Sequence, residues 1–187
     1  MIDKDFSQKY FDKFSTVMGT VDVAEYQHGM ELVKQAWQRG SSIITLGNGG
    51  SSMTALHFIT DWNKSIYMAT KKPFYGRTLI DNIGTVMAYA NDVSFEDIFA
   101  EQLKNLLKPE DLVIAISGSG NSENVVRAVE YANSNQATTL GLCGYDGGKL
   151  KEKSENSIWV KSFDMQIVED LHAMFGHMTM QYLAQYD

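Results

Sequence analysis

Residues 42–52 are Ser42-Ile43-Ile44-Thr45-Leu46-Gly47-Asn48-Gly49-Gly50-Ser51-Ser52. The apolar, β-branched first half predicts a buried strand over 42–46, and a helix is predicted from about 51 to 64. The same order returns over 111–122, in Asp111-Leu112-Val113-Ile114-Ala115-Ile116-Ser117-Gly118-Ser119-Gly120-Asn121-Ser122, before a predicted helix over 123–134. Apolar strands that alternate with helices predict a mainly parallel sheet covered on both faces, which is a three-layer α/β sandwich.

The rest of the chain extends this pattern in both directions. Further strands are predicted at 77–80, 138–143 and 157–160. Further helices are predicted at 5–17, 22–39, 82–91, 95–107 and 165–185. The length and the lack of a linker rich in Gly, Ser or Pro indicate one domain over 1–187. Because the first two helices precede the repeat, residues 1–40 are interpreted as a helical extension that packs against other elements or another subunit.

The composition excludes several classes of protein. The 187 residues are 44% apolar and 21% charged, as in ordinary globular domains and unlike collagen-like, low-complexity or disordered chains. The 16 basic and 23 acidic residues give a net charge of −7, which disfavours nucleic acid and anionic membranes as partners. No stretch approaches about 18 apolar residues and the N-terminus lacks a signal-peptide core, so we expect no membrane span and a cytoplasmic location.

The chain has a single cysteine, Cys143. One cysteine excludes an internal disulfide and a zinc site built from cysteines. Because Cys143 ends the apolar run 138–143, we expect it to be a buried thiol rather than a reactive one.

Two loops rich in glycine and serine are the first candidates for a binding site. Ligands of open α/β folds bind beyond the carboxyl ends of the strands, where both 47–52 and 117–122 are predicted to lie. Each loop leads into a helix, whose free N–H groups and partial positive charge attract phosphate. The first loop lacks the last glycine of the dinucleotide fingerprint, and the chain has no Gly-Lys-Ser/Thr, so no nucleotide cofactor is expected. One such loop could be a purely structural turn, but two favour a phosphate ester as ligand.

Histidines and carboxylates on two predicted helices form the second set of candidates. His57 and Asp61 are four residues apart, which places them on one helix face as a metal site, a proton-transfer pair or a simple surface hydrogen bond. The last helix carries Glu169, His172 and His177. Glu169 and His177 are separated by roughly 12 Å along a straight helix, so one metal binds both only if their side chains converge. The alternative interpretation is a solvated helix start and one core histidine.

These residues together resemble the SIS (sugar isomerase) domain family, and within it the phosphoheptose isomerases. The resemblance runs from about Trp37 to the C-terminus. Besides the two loops, it rests on Leu56-His57-Phe58, Asn91-Asp92, Phe95-Glu96-Asp97-Ile98-Phe99, Gly144-Tyr145-Asp146-Gly147-Gly148-Lys149, and Glu169-Asp170-Leu171-His172 with His177. The order and spacing of these blocks imply the SIS fold.

The resemblance implies an isomerase that interconverts a ketose phosphate and an aldose phosphate. The implied reaction takes sedoheptulose 7-phosphate to D-glycero-D-manno-heptose 7-phosphate through an enediol, for the heptose of lipopolysaccharide or capsule. The implied phosphate site is Ser117, Gly118, Ser119 and Ser122. The implied contacts to the rest of the substrate are Asn48, Gly49, Gly50, Ser51, Asn91, Asp92 and Glu169. The implied ligands of zinc, or of another divalent metal, are His57, Asp61, Glu169 and His177.

Three of these positions depart from the family pattern. Asp61 stands where the family has Glu, Glu169 where it has Gln, and Gly118 where Thr is usual. All four metal positions nevertheless keep side chains that bind metals. Isomerisation needs a base near C1 and C2 and a group that stabilises the enediolate oxygen. We assign Asp61 as the base, His177 as its acid partner, and His57 with Glu169 as ligands or positioning groups, while Asp61 and His177 can themselves be ligands.

The resemblance also implies a homotetramer, with active sites at subunit contacts and the leading helices covering each other. Three other functions are compatible with the fold. The same scaffold can isomerise a different sugar phosphate. A non-catalytic SIS protein would bind a protein partner such as a replication initiator, but the retained metal positions disfavour this. A sugar-phosphate sensor would carry a DNA-binding segment, for which the residues before 37 leave no room.

Overall fold

The computed structural model describes residues 5–185 of the chain, so residues 1–4 and 186–187 of the expected single domain lie outside the described part. Within it, five strands form one parallel sheet in the order β2-β1-β3-β4-β5. The strands are β1 Ile43–Gly47, β2 Gly76–Thr78, β3 Leu112–Ser117, β4 Thr138–Cys143 and β5 Asn156–Trp159. The parallel sheet that the apolar runs predict is therefore confirmed.

Helices connect and cover these strands. They are α1 Phe6–Met18, α2 Val23–Arg39, α3 Gly49–Asp61, α4 Tyr67–Thr70, α5 Ile83–Asp92, α6 Ile98–Leu106, α7 Glu123–Ser134, α8 Gly148–Lys153 and α9 Met165–Ala184. A π-helical turn, Trp62–Ile66, joins α3 to α4, and a 3-10 turn, Phe95–Asp97, precedes α6.

The register of the central strands brings the two glycine-rich loops together. β1 pairs with β3 from Ile43 opposite Leu112 to Gly47 opposite Ile116. Both loops therefore leave the sheet at the same level and from neighbouring strands. Because β2 lies on one side of β1 and β3 on the other, this is also the point where the strand order changes direction, the usual ligand site of such sheets.

Two apolar clusters pack on opposite faces of the sheet and give the three layers. Ile43 and Ile114 face one cluster, which includes residues of α2, α3 and α9. Ile44 and Val113 face the other, which includes residues of α6 and α7. Every residue of the central strands β1 and β3 is buried, as in a parallel sheet between helices.

The first helix and the second have different environments. Val33 and Trp37 of α2 belong to the core, so α2 is an integral layer of the sandwich rather than part of an extension. α1 buries no residue fully, and Phe6 and Phe11 are 60% and 62% exposed. The expected placement of the leading helices between subunits thus remains a prediction, carried by α1.

Three elements differ from the sequence expectation. The strand predicted at 77–80 is β2, Gly76–Thr78, and residues 79 and 80 form a turn. The helix predicted over 51–64 begins two residues earlier, at Gly49, and continues through the π turn, in which the Trp62 Nε1 group donates to Gly176 O at 2.9 Å. Asn63 of the same turn exchanges hydrogen bonds with the backbone of Gly76 in β2. The short helix α8 was not predicted, because its Gly-Lys-Leu-Lys-Glu-Lys sequence contains one apolar residue and has no periodicity.

Cys143 is fully buried at the end of β4, as its sequence context predicts. Burial raises the pKa of its thiol to about 12, so the group is protonated and unreactive near neutral pH. Among the described residues, no helix combines the length and the apolar character needed to cross a bilayer.

Candidate active site

The two loops line one small cavity at the carboxyl end of the sheet. Its volume is about 140 Å³, and its walls are Asn48, Ser51, Ile116, Ser117, Gly118, Ser119, Ser122, Met165 and Glu169. Ligand pockets for whole drug-sized molecules are larger, roughly 300–1,000 Å³. This cavity, the serine-loop pocket, therefore has room for a phosphate group but not for a complete sugar phosphate.

Two of the helices that begin at this pocket, α3 and α7, have no side-chain cap, as is also true of α1, α6 and α8. α2, α5 and α9 are each capped by a side chain, that of Asp22, Asn82 and Asp164 respectively. Asn48 and Ser122, at the starts of α3 and α7, make no such side-chain cap. The first N–H groups of these two helices are thus left available for an anion beside the serine hydroxyls.

A second group of side chains lies further along α3 and α9. One donor atom each from His57, Asp61 and His177 lies within 4.8 Å of the other two. His57 Nε2 is 3.2 Å from Asp61 Oδ2, and the rings of His57 and His177 are 5.0 Å apart between centroids. The surface pair that the spacing of His57 and Asp61 predicts is present, and His177 extends it to a three-residue cluster.

The serine-loop pocket and the cluster share the same two helices. Ser51 and His57 lie on α3, and their separation along the helix axis is about 9 Å. Glu169 and His177 lie on α9, about 12 Å apart. Both helices begin at the loop end of the sheet, and the ring contact between His57 and His177 shows that they lie side by side. A ligand anchored by a phosphate in the pocket can therefore extend toward the cluster.

Glu169 lies at the pocket end of α9 and is not part of the cluster. A Cβ atom added to Gly50 would come within 2.8 Å of the Glu169 carboxyl carbon, so Gly50 leaves the space that this side chain occupies. The structure thus brings Glu169 together with Asn48, Ser51 and the serines. Its role as a fourth metal ligand stays a prediction.

Asn91 and Asp92 are neither among the residues that line the serine-loop pocket nor among those of the cluster. They end α5, are exposed, and form a hydrogen bond of 2.7 Å between Asn91 Nδ2 and Asp92 Oδ1. Their assignment to substrate binding rests on the resemblance alone.

Comparisons with known proteins agree with this geometry. A family model described as the SIS domain matches residues 9–144, well over half of the chain. The chain belongs to the SIS domain family.

Named relatives of this SIS domain are phosphoheptose isomerases. It is 34% identical to the phosphoheptose isomerase of Helicobacter pylori over 151 residues, which cover 81% of this chain and 78% of the relative. It is 30% identical to that of Campylobacter concisus over 174 residues, 93% of this chain and 89% of the relative. The solved phosphoheptose isomerase of Francisella tularensis superposes with a TM-score of 0.89 at 23% identity, covering 99% and 100% of the two chains, which confirms the fold. The resemblance inferred from the motifs is therefore confirmed.

His172 is the core histidine of this SIS domain. It is fully buried, and its Nε2 atom lies 3.2 Å from the carbonyl oxygen of Cys143, while Nδ1 has no hydrogen-bond partner. Burial lowers the pKa of His172 to about 4. The interpretation of the last helix as carrying one core histidine is correct for His172, while His177 is exposed in the cluster.

Asn124 contacts the first loop but belongs to none of the motifs that indicate the site. Its side chain is 2% exposed and pairs with that of Asn48. The signal in the sequence is a polar residue on an apolar stripe, because Asn124, Ala128 and Ala132 follow one another at helical spacing and are all buried.

Proposed function

We propose that this SIS domain is a phosphosugar isomerase that converts sedoheptulose 7-phosphate into D-glycero-D-manno-heptose 7-phosphate. The observation that carries the proposal is the pairing of an anion pocket with a His–Asp–His cluster, one sugar-chain length away on the same two helices. The names of the relatives supply the substrate class. The retained cluster argues against a purely protein-binding SIS domain.

The substrate phosphate binds in the serine-loop pocket. Ser117, Ser119 and Ser122 donate hydroxyl hydrogen bonds, and the uncapped first turns of α3 and α7 add backbone N–H groups. The pocket itself contains no cationic side chain, so hydrogen bonds and helix dipoles bind the dianion. The sugar carbons then extend from the pocket along α3 and α9.

The cluster carries out the proton transfers. Asp61 takes a proton from C1 of the ketose and returns it to C2, which moves the carbonyl from C2 to C1. His177 donates a proton to O2 as the enediol forms and accepts one from O1 as the aldose forms. The two side chains thus work on the carbon and oxygen protons separately, and no proton is gained or lost overall.

The cluster also has the donor set of a zinc site. Tetrahedral zinc holds its ligand atoms about 3.3 Å apart. His57 Nε2 and Asp61 Oδ2 already have this spacing, and a donor atom of His177 lies within 4.8 Å of a donor atom of each. We propose His57, Asp61 and His177 as ligands of zinc or another divalent metal, with Glu169 as the fourth once its side chain turns from Gly50 toward the cluster. For Asp61 and His177 this ligand role and the acid–base role are alternatives, and the chelator experiment below distinguishes them. When bound, such an ion polarises the substrate carbonyl.

The test is an isomerase assay with sedoheptulose 7-phosphate on metal-stripped and zinc-restored protein, with the aldose product followed by NMR. Turnover that zinc restores supports both the reaction and the metal site. Turnover that is indifferent to the chelator keeps the reaction and removes the metal from it. If neither sample turns over and another sugar phosphate stabilises the protein against heat, that sugar phosphate would replace sedoheptulose 7-phosphate as the proposed substrate. If neither sample turns over and no sugar phosphate stabilises the protein, a protein-binding role would be favoured.

We further propose a homotetramer as the working form. The support is the large apolar side chains left exposed on α1 and α5, among them Phe6, Phe11, Ile83 and Met87. Light scattering on the purified chain tests the assembly, and a monomer at micromolar concentration would contradict it.

A further inference from the structure

We propose that Asn124 is a positioning residue that fixes the side chain of Asn48 and thereby sets the two phosphate-site loops relative to each other. This inference rests on the proposed function, because it assigns a partner to a residue of that site. Its basis is a reciprocal amide pair: Asn48 Nδ2 donates to Asn124 Oδ1 at 2.8 Å, and Asn124 Nδ2 donates to Asn48 Oδ1 at 3.1 Å.

The pair bridges the point where the two loops face each other. Asn48 follows β1 and stands just before α3, whereas Asn124 lies in the first turn of α7, two residues after Ser122. Asparagine in the position of Asn48 commonly caps its own helix, but here the side chain makes no cap. It reaches across to α7 instead, which leaves the first N–H groups of α3 to a ligand.

Asn124 is the better anchored member of the pair. It is 2% exposed, whereas Asn48 is half-buried in the wall of the serine-loop pocket. One turn further along α7, Arg127 Nε donates to Glu123 at 3.1 Å, and Arg127 Nη1 donates to both oxygens of Asp97 at 3.0 Å. These contacts tie the start of α7 to the segment before α6. Asn48 therefore takes its orientation from Asn124.

The pair leaves part of Asn48 free for the substrate. A side-chain amide has two N–H groups and two acceptor lone pairs, and the reciprocal pair uses one of each. The second N–H and the second lone pair of Asn48 remain beside the pocket in a fixed direction. Without Asn124, the Asn48 amide can rotate. Substrate binding must then fix this amide, and the lost conformational entropy weakens binding.

Two substitutions of Asn124 separate this role from simple packing. Asn124→Ser removes the amide and introduces no charge. Asn124→Asp keeps the shape but, when ionised, offers Asn48 Oδ1 no donor; when protonated, it restores both hydrogen bonds. Burial raises the pKa of a carboxyl group whereas the positive end of α7 lowers it, so the variant is ionised at pH 8. Asn133→Asp is the matched control, because Asn133 lies on the same helix and its amide also makes two hydrogen bonds, to Lys153 O and Thr139, away from the site.

We expect kcat/KM to fall roughly tenfold in both Asn124 variants at pH 8, mainly through KM, because one or two hydrogen bonds are lost and the cluster is untouched. The loss should appear in Asn124→Asp as well as in Asn124→Ser, because the shape of the side chain alone does not replace the amide donor. Asn133→Asp should remain within twofold of wild type. Folded, fully active Asn124→Ser, or an equal loss in Asn133→Asp, would overturn the proposal.

A second measurement does not depend on turnover. In protein labelled with ¹⁵N-asparagine, one side-chain N–H of Asn48 should exchange slowly with solvent in the wild type and quickly in Asn124→Ser. Unchanged exchange in that variant contradicts the positioning role even if the wild type proves inactive on sedoheptulose 7-phosphate. Inactivity of the wild type with the expected exchange difference contradicts the proposed function alone.

Discussion

His57 Nε2 lies 3.2 Å from Asp61 Oδ2, one turn along α3, with side chains 49% and 30% exposed. An exposed pair of this kind contributes about 0–1 kcal/mol to stability. The pair on its own therefore contributes little to the stability of the fold. The third member, His177, comes from α9, and a cluster assembled from two helices at the solvent boundary is better explained by a ligand than by the fold.

Replacement of Asp61 tests the metal site directly. Asp61→Asn keeps the shape and removes the negative charge, so we expect zinc affinity to fall at least about tenfold, since even indirect partners of metal ligands contribute that much. Competition with a chromophoric chelator measures the affinity without any turnover. Glu130→Gln is the control, because Glu130 is an exposed helical carboxylate paired with Lys153 at 3.0 Å. Equal zinc affinity in Asp61→Asn and wild type would refute the site.

Replacement of His177 tests the acid partner. We expect His177→Ala to lower kcat by at least about 100-fold, the usual contribution of general acid–base catalysis. Affinity for inorganic phosphate, measured by calorimetry, should change less than threefold, because the serine-loop pocket begins about two turns away along α9. His28→Ala, which removes an exposed histidine paired with Asn156, should retain full turnover. Normal turnover in His177→Ala would rule out this assignment.

Features that depend on neighbouring residues in the sequence could be predicted, whereas contacts that depend on the packing of distant helices could not. The bounds of α7 and β4 were predicted correctly, since the apolar stripe of α7 ends at Ser134 and a glycine, Gly144, follows the apolar run of β4. The resemblance implied that His57 meets His177, but no local pattern predicts it, because the contact depends on how α3 and α9 pack against each other. The spacing of Glu169 and His177 did indicate that one ion would reach both with difficulty, and the structure places Glu169 at the pocket end of α9.

The departure at Gly118 has a packing explanation that can be tested. A Cβ atom added there would lie 3.2 Å from Met165 Cε and closer to its sulfur, so Met165 occupies the space that a larger side chain needs. Overpacking costs roughly 1–3 kcal/mol, which corresponds to a fall in Tm of about 2–12 °C for Gly118→Thr. Thermal melts of Gly118→Thr, Met165→Ala and the double variant form a cycle. We expect Met165→Ala to recover at least half of the loss, and strictly additive effects would contradict the explanation.

Protonation of His172 should destabilise the protein in mild acid. Burial lowers its pKa from 6.5 to about 4, so between these pH values the unfolded chain binds more protons than the folded one. The free energy of unfolding therefore rises with pH across this window and is lost as the pH falls from 6.5 toward 4. Between pH 7.5 and pH 5.0 the contribution of His172 is roughly 2 kcal/mol. Urea unfolding at the two pH values measures it. His172→Gln keeps a donor for the Cys143 carbonyl but does not titrate, so its free energy of unfolding should depend on pH less steeply by that amount. His28→Gln, at an exposed site, should retain the wild-type dependence, and an equal dependence in His172→Gln would show that this histidine is not the responsible group.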